Sequence, residues 1–139
     1  MRIRELRRGE EEAVVALWLA CALTRPWNDP RKDIERKLAH SPSLFLVGLD
    51  DDELVGSVMA GYDGHRGWIN YLAVHPSWQG QGLGRALMEA AEERLRALGC
   101  PKINLQVREG NEAAAAFYDA IGYEQQELVD FGKRLVSDE

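Results

Sequence analysis

The stretch Gln79-Gly80-Gln81-Gly82-Leu83-Gly84-Arg85 constrains this chain more than any other part of it. Before it stands Trp68 to Val74, an apolar run of strand character, and after it Leu83, Leu87, Ala91, Leu95 and Leu98 form one helical stripe. A glycine loop between strand and helix exposes the unpaired N–H groups of the first helical turn, which with the helix dipole make an anion site. The glycines permit positive φ and close approach of a ligand, and Arg85 adds a fixed positive charge. A diphosphate fits, whereas a simple turn needs fewer glycines. A nucleotide-hydrolase loop ends in Gly-Lys-Ser/Thr where Gly84-Arg85-Ala86 stands. A dinucleotide fingerprint requires a third glycine where Arg85 stands.

The remaining pattern predicts the order β-α-α-β-β-β-α-β-α-β-β over a single domain spanning residues 1–139. Strands are expected over 2–7, 44–49, 54–60, 68–74 and 103–107, with two more in the tail between Tyr123 and Val136. Helices are expected over 10–22, from Asp29-Pro30 to Ala39, from Leu83 to Leu98, and after Asn111. A net charge of -6 argues against nucleic acid as a partner. The longest apolar stretch, 13–23, is short of the roughly 20 residues of a membrane span. The N-terminus lacks a signal-peptide pattern, so a cytoplasmic location is expected. No metal is expected: Asp50-Asp51-Asp52 lacks the alternating ligand spacing of a calcium loop, and the two cysteines make no framework.

Gln79, Gly82 and Gly84 match the Q/R-x-x-G-x-G/A hallmark of the GCN5-related N-acetyltransferase (GNAT) superfamily, which the chain strongly resembles. A second, independent match lies in Asn111, Ala114, Phe117-Tyr118 and Gly122-Tyr123, similar to that family's N-x-x-A-x-x-F-Y-x-x-x-G-F/Y. Arg25 to Pro30 and Gly61 to Gly67 resemble a bacterial subgroup, the YpeA-like acetyltransferases, which brings no settled acceptor. The resemblance implies an α/β GNAT fold, a mixed and mostly antiparallel sheet of about seven strands flanked by four helices. It also implies acetyl-coenzyme A as acetyl donor, with Leu72, Ala73 and Val74 pairing the pantetheine arm. Gln79, Gly80, Gly82, Leu83, Gly84 and Arg85 would hold the diphosphate, Asn111 would bind the cofactor, and Tyr118 would face its sulfur. Seven residues is close to two helical turns, which puts Asn111 and Tyr118 on one face.

The expected reaction is direct attack of a primary amine, on a small molecule or peptide, within a ternary complex. An amine of pKa about 10.4 is neutral only about one part in a thousand near pH 7, so its proton must be removed. Tyr118 is the candidate general acid for the leaving thiolate, and a backbone N–H of 72–74 the oxyanion donor. Histone-type members carry a glutamate where Trp68 stands, and ribosomal-protein acetyltransferases carry one where Gln106 stands. Asp63 and His65 are then the candidate bases, with Asp29 a third, and Trp27, Asp29, Trp68, Asn70 and Tyr71 the candidate acceptor contacts. Asp29, Asp63 and His65 also read as ordinary cap and turn chemistry. The competing function is a non-catalytic acyl-coenzyme A sensor. Use of a longer acyl donor, and assembly as a homodimer, stay open.

Overall fold

The computed structural model describes residues 1–139, which fall into two compact units, Met1–Leu105 with Asp138–Glu139, and Gln106–Ser137.

The first unit carries β1 (Arg2–Glu5), α1 (Glu11–Ala20), α2 (Pro30–His40), β2 (Phe45–Asp50), β3 (Glu53–Tyr62), β4 (Gly67–Val74), α3 (Leu83–Ala97) and β5 (Ile103–Leu105). The strands form one sheet in sequence order, antiparallel from β1 to β4 and parallel between β4 and β5. Neighbouring strand residues face opposite sides of a sheet. Gly56 faces α3, since a Cβ built on it falls 2.9 Å from Leu87 Cδ1 and 3.0 Å from Leu83 Cδ2. Ser57 faces α1, where it receives the indole N–H of Trp18. The two helices therefore cover opposite faces, and β2 and β3, sandwiched between them, are buried along most of their length. The α1 face is filled by Val14, Trp18, Phe45 and Val47, each fully buried. Stripping such side chains from water stabilises by roughly 1.5–3 kcal/mol each.

Local signals set the ends of these elements. The Asp29 carboxylate accepts the Arg31 N–H at the start of α2, with Pro30 in the first turn. Helix α1 ends two residues before the expected Ala22, whose φ of 56° turns the chain out of the helix. The β3–β4 hairpin is tighter than expected: β3 reaches Tyr62 and β4 begins at Gly67, with the Asp63 carboxylate holding the N–H groups of His65 and Arg66 in the turn. Gly67 admits no side chain, because a Cβ there would lie 2.8 Å from Cys100 Sγ.

The second unit contains α4 (Glu112–Ala120), capped by the Asn111 side chain accepting from Ala114 N–H at 3.1 Å. Here the expected seven-stranded sheet is corrected to five strands: β5 stops at Leu105, and no strand forms between Tyr123 and Val136. The apolar residues there satisfy a strand pattern, but a strand also needs a hydrogen-bonded neighbour. Leu128, Val129, Phe131, Leu135 and Val136 pair with no strand and are 67–91% exposed. No helix in the chain is long and apolar enough to cross a membrane.

Candidate active site

Strand β4 is irregular where the sequence places the donor. Its register against β3 shifts between Ser57 and Met59, so that Met59 opposes Asn70 while Ser57 opposes Ala73. Two residues, Tyr71 and Leu72, thus stand opposite Val58 alone, which is a β-bulge. Tyr71 has φ of 51°, a left-handed conformation that a bulky side chain adopts only when its surroundings hold it. The ring stacks on Trp18 at 3.7 Å between centroids and 7° between planes. Its hydroxyl donates to Asp33 Oδ2 at 2.7 Å, and its carbonyl accepts from Ser57 Oγ at 2.9 Å.

The other edge of β4 pairs with β5 only from Gly67 to Ile69. From Asn70 to Val74 that edge has no strand neighbour, leaving backbone groups other than the Val74 carbonyl available to an extended ligand. At its end the Val74 carbonyl accepts from Gln79 Nε2 at 3.1 Å and from Cys21 Sγ at 3.2 Å. The Gln79 side chain thereby ties the glycine loop to the end of the strand. Burial pushes the Cys21 thiol up, away from the reactive thiolate form.

The loop then enters α3 with Gly80 at φ 78° and Gly82, its N-cap, at φ 84°. A Cβ on either would meet nothing within 4 Å, so conformation and not crowding requires glycine there. No side chain caps α3 and no acid occupies its first turn, which leaves an open anion-binding end with exposed Arg85 beside it. These features fit a diphosphate followed by an extended arm lying along β4.

Asn70 is exposed on β4 and Trp27 is 55% exposed in the α1–α2 loop. Asp29 serves as a helix cap. Trp68 Nε1 donates to Asp63 at 3.3 Å, and the three donors on that carboxylate hold it below the usual range. What the structure does cluster is Tyr71 with Asn28 and Asp33: Asn28 Nδ2 donates to Asp33 Oδ2 and lies 3.2 Å from the Tyr71 hydroxyl. Desolvation, then the neighbouring Asp33 carboxylate, pushes Tyr71 strongly up, so it stays a proton donor. Asp33 escapes sequence reasoning because an acid in a first helical turn already has a sufficient reason to be there. Its only sequence signal is the i, i+4 spacing from Asp29.

In the second unit, Tyr118 packs edge-to-face on Phe117 and Tyr123, with centroids 5.2 and 5.8 Å apart. Burial pushes its hydroxyl up to about 12.

A three-layer fold with a bulged, half-unpaired strand leading into an uncapped glycine-loop helix defines an α/β protein with a site for an extended anionic ligand. The profile of the Acetyltransferase (GNAT) family matches residues 12–123. An acetyltransferase of Pectobacterium atrosepticum is 53% identical over 138 residues, covering 99% of this chain and 98% of its own. The chain belongs to the acetyltransferase (GNAT) family. Among solved structures, the aminoglycoside acetyltransferase AAC(6')-Iy in complex with a bisubstrate analog superposes with a TM-score of 0.78 at 18% identity, over 97% of this chain and 98% of that one. Chaetomium thermophilum Naa20, also in complex with a bisubstrate analogue, gives 0.76 at 25% identity over 89% and 71%.

Proposed function

We propose that the chain works as one domain that transfers the acetyl group of acetyl-coenzyme A to a primary amine by direct attack in a ternary complex. The observation that carries this is the unpaired β4 edge from Asn70 to Val74, continuous with the open start of α3. The bisubstrate analogues held by two proteins of the same fold support a site that accommodates donor and acceptor together.

In this reading the amides from Gly80 to Arg85 bind the diphosphate, the 72–74 backbone pairs the pantetheine arm, and Asn111 adds a polar contact. The thioester carbonyl lies at the bulge, where the Leu72 N–H stabilises the oxyanion. Tyr118 protonates the departing sulfur. From a hydroxyl near 12 to a thiol near 8.5, full proton transfer is uphill by about 5 kcal/mol. That lies well inside the roughly 16 kcal/mol barrier of an ordinary turnover, and re-protonation from water completes the cycle.

The acceptor enters beside Tyr71, with Trp27, Trp68 and Asn70 as its walls and Asp33 as an added counter-charge for a cationic amine. The hairpin pair fits the base role poorly. His65 is six residues from Tyr71, about 20 Å of extended strand, whereas a general base must reach its proton directly or through one water. We therefore assign Asp63 to the turn and the amine's proton to water.

The sensor alternative draws on Trp68 and Gln106, which stand in place of the familiar carboxylates. Calorimetry with acetyl-coenzyme A, followed by free-thiol release against aminoglycosides, peptide N-termini and polyamines, decides between them. Binding with thiol release from one amine class is expected. Binding without release from any class supports the sensor, and no binding overturns both.

A further inference from the structure

Ser57 is the one buried polar or charged residue of the chain, with no exposed surface. Its hydroxyl is fully committed: it accepts the Trp18 indole N–H at 2.9 Å and donates to the Tyr71 carbonyl at 2.9 Å. Trp18 is equally buried, and its ring stacks on that same Tyr71 at 3.7 Å and lies parallel to Phe45 at 6.2 Å. A relay of Trp18 to Ser57 to the Tyr71 carbonyl thus runs from α1 through β3 to the bulge in β4.

The cost of burying a serine is offset here because both of its hydrogen-bonding functions are met. An alanine would pack in the same space but leave the buried Trp18 indole N–H and the Tyr71 carbonyl without this partner. The hydroxyl therefore has a specific task, and the peptide it grips shows what the task is. A trans peptide is planar, with its C=O and the following N–H pointing in opposite directions, and the chain has no cis bond. Fixing the Tyr71 carbonyl on Ser57 turns the Leu72 N–H to the side opposite the Ser57 hydroxyl, in the stretch of β4 whose other edge β5 leaves unpaired beyond Ile69. Without that grip, the left-handed Tyr71 at φ 51° has an easy route back to ordinary extended backbone, and the Tyr71–Leu72 peptide rotates with it.

We propose that Ser57, held by Trp18, is a positioning residue for acyl transfer: it aims the Leu72 N–H at the thioester carbonyl. The role rests on the acetyltransferase reading above. It touches neither donor nor acceptor, so its signature is a split between binding and orientation. Because the diphosphate contacts lie on the glycine loop, loss of the relay leaves donor affinity nearly intact while misdirecting one amide.

The test compares wild type, Ser57→Ala, Ser57→Thr and Ser57→Cys by calorimetry with acetyl-coenzyme A and by amide NMR of the same titration. In wild type and in Ser57→Thr, which keeps the hydroxyl, the Leu72 amide resonance shifts together with those of Gly82 and Gly84. In Ser57→Ala the glycine-loop amides still shift and the dissociation constant changes less than about threefold, while the Leu72 shift is lost. Turnover on the acceptor found by thiol release falls at least tenfold, in kcat and not in the KM for acetyl-coenzyme A. If Ser57→Ala does not fold, Ser57→Cys, which keeps the volume with a weak donor, carries the same expectation. A relay-deficient variant that keeps both the Leu72 shift and wild-type kcat overturns the proposal while leaving the enzyme reading intact. A wild-type chain that binds no acetyl-coenzyme A overturns the enzyme reading first, and this role with it.

Discussion

Tyr118 and Tyr71 show one residue type in two different surroundings. Both hydroxyls are pushed up by burial, but Tyr71 is in addition hydrogen-bonded to a carboxylate, whereas Tyr118 is surrounded by aromatic rings. With a folded value of about 12, Tyr118 is fully protonated through neutral pH and loses its proton only as pH rises toward that value. A pH–rate profile of wild type is therefore expected to show no descending limb from Tyr118 between pH 7 and 10. Tyr118→Phe is expected to lower kcat by about 10²-fold, the lower end of what a positioned general acid contributes. Its KM for acetyl-coenzyme A should stay within about twofold. Residue roles of this kind were partly legible in the sequence. Asp29 and Asn111 are caps because capping is local, decided within three residues of chain. Asp33, Ser57 and Trp18 acquire their roles from partners 38, 14 and 39 positions away, and no local pattern reports those.

Among the elements, α3 is placed by what the strands beneath it lack. Gly48 and Gly56 are where α3 descends onto the sheet: a Cβ on Gly48 would stand 3.0 Å from Leu83 Cδ1, and on Gly56 3.3 Å from the Ala73 carbonyl as well as against Leu83 and Leu87. Leu83 is the first residue of α3, so the height of the glycine loop above β4 is set by these two missing side chains. Gly56→Ala is expected to lower stability by about 1–3 kcal/mol through overpacking. It should also weaken acetyl-coenzyme A by roughly tenfold as the start of the helix is lifted, the first effect read by thermal melting and the second by calorimetry. Gly80→Ala, at φ 78° with open space around it, is expected to cost about 1–2 kcal/mol from backbone alone. The glycine loop was plain in the sequence because its signal is continuous, while Gly48 and Gly56 read as ordinary strand residues. The bulge was equally hidden, since Asn70 to Ala73 carries no glycine to mark a positive φ.

At the scale of the molecule, the chain's end returns to its beginning. Asp138, whose side chain is only 4% exposed, accepts from the Asp29 N–H at 2.7 Å and from Arg36 at 2.6 Å, while its carbonyl accepts from Lys32. Asp138→Ala removes two charge-assisted bonds from the start of α2 and is expected to cost about 2 kcal/mol, measured as a fall in the urea midpoint at unchanged slope. Alternation between Tyr123 and Val136 reads as strands because it cannot tell whether a neighbour exists. It misses the anchor because a lone acid near a chain terminus carries no signal. That anchor changes the statistics of what precedes it. Residues 106–137 lie between β5 and the anchored Asp138, so the chain closes a loop there. Since ring closure grows costlier only with the logarithm of length, about 0.6 kcal/mol for each doubling, extra residues in its exposed part are cheap.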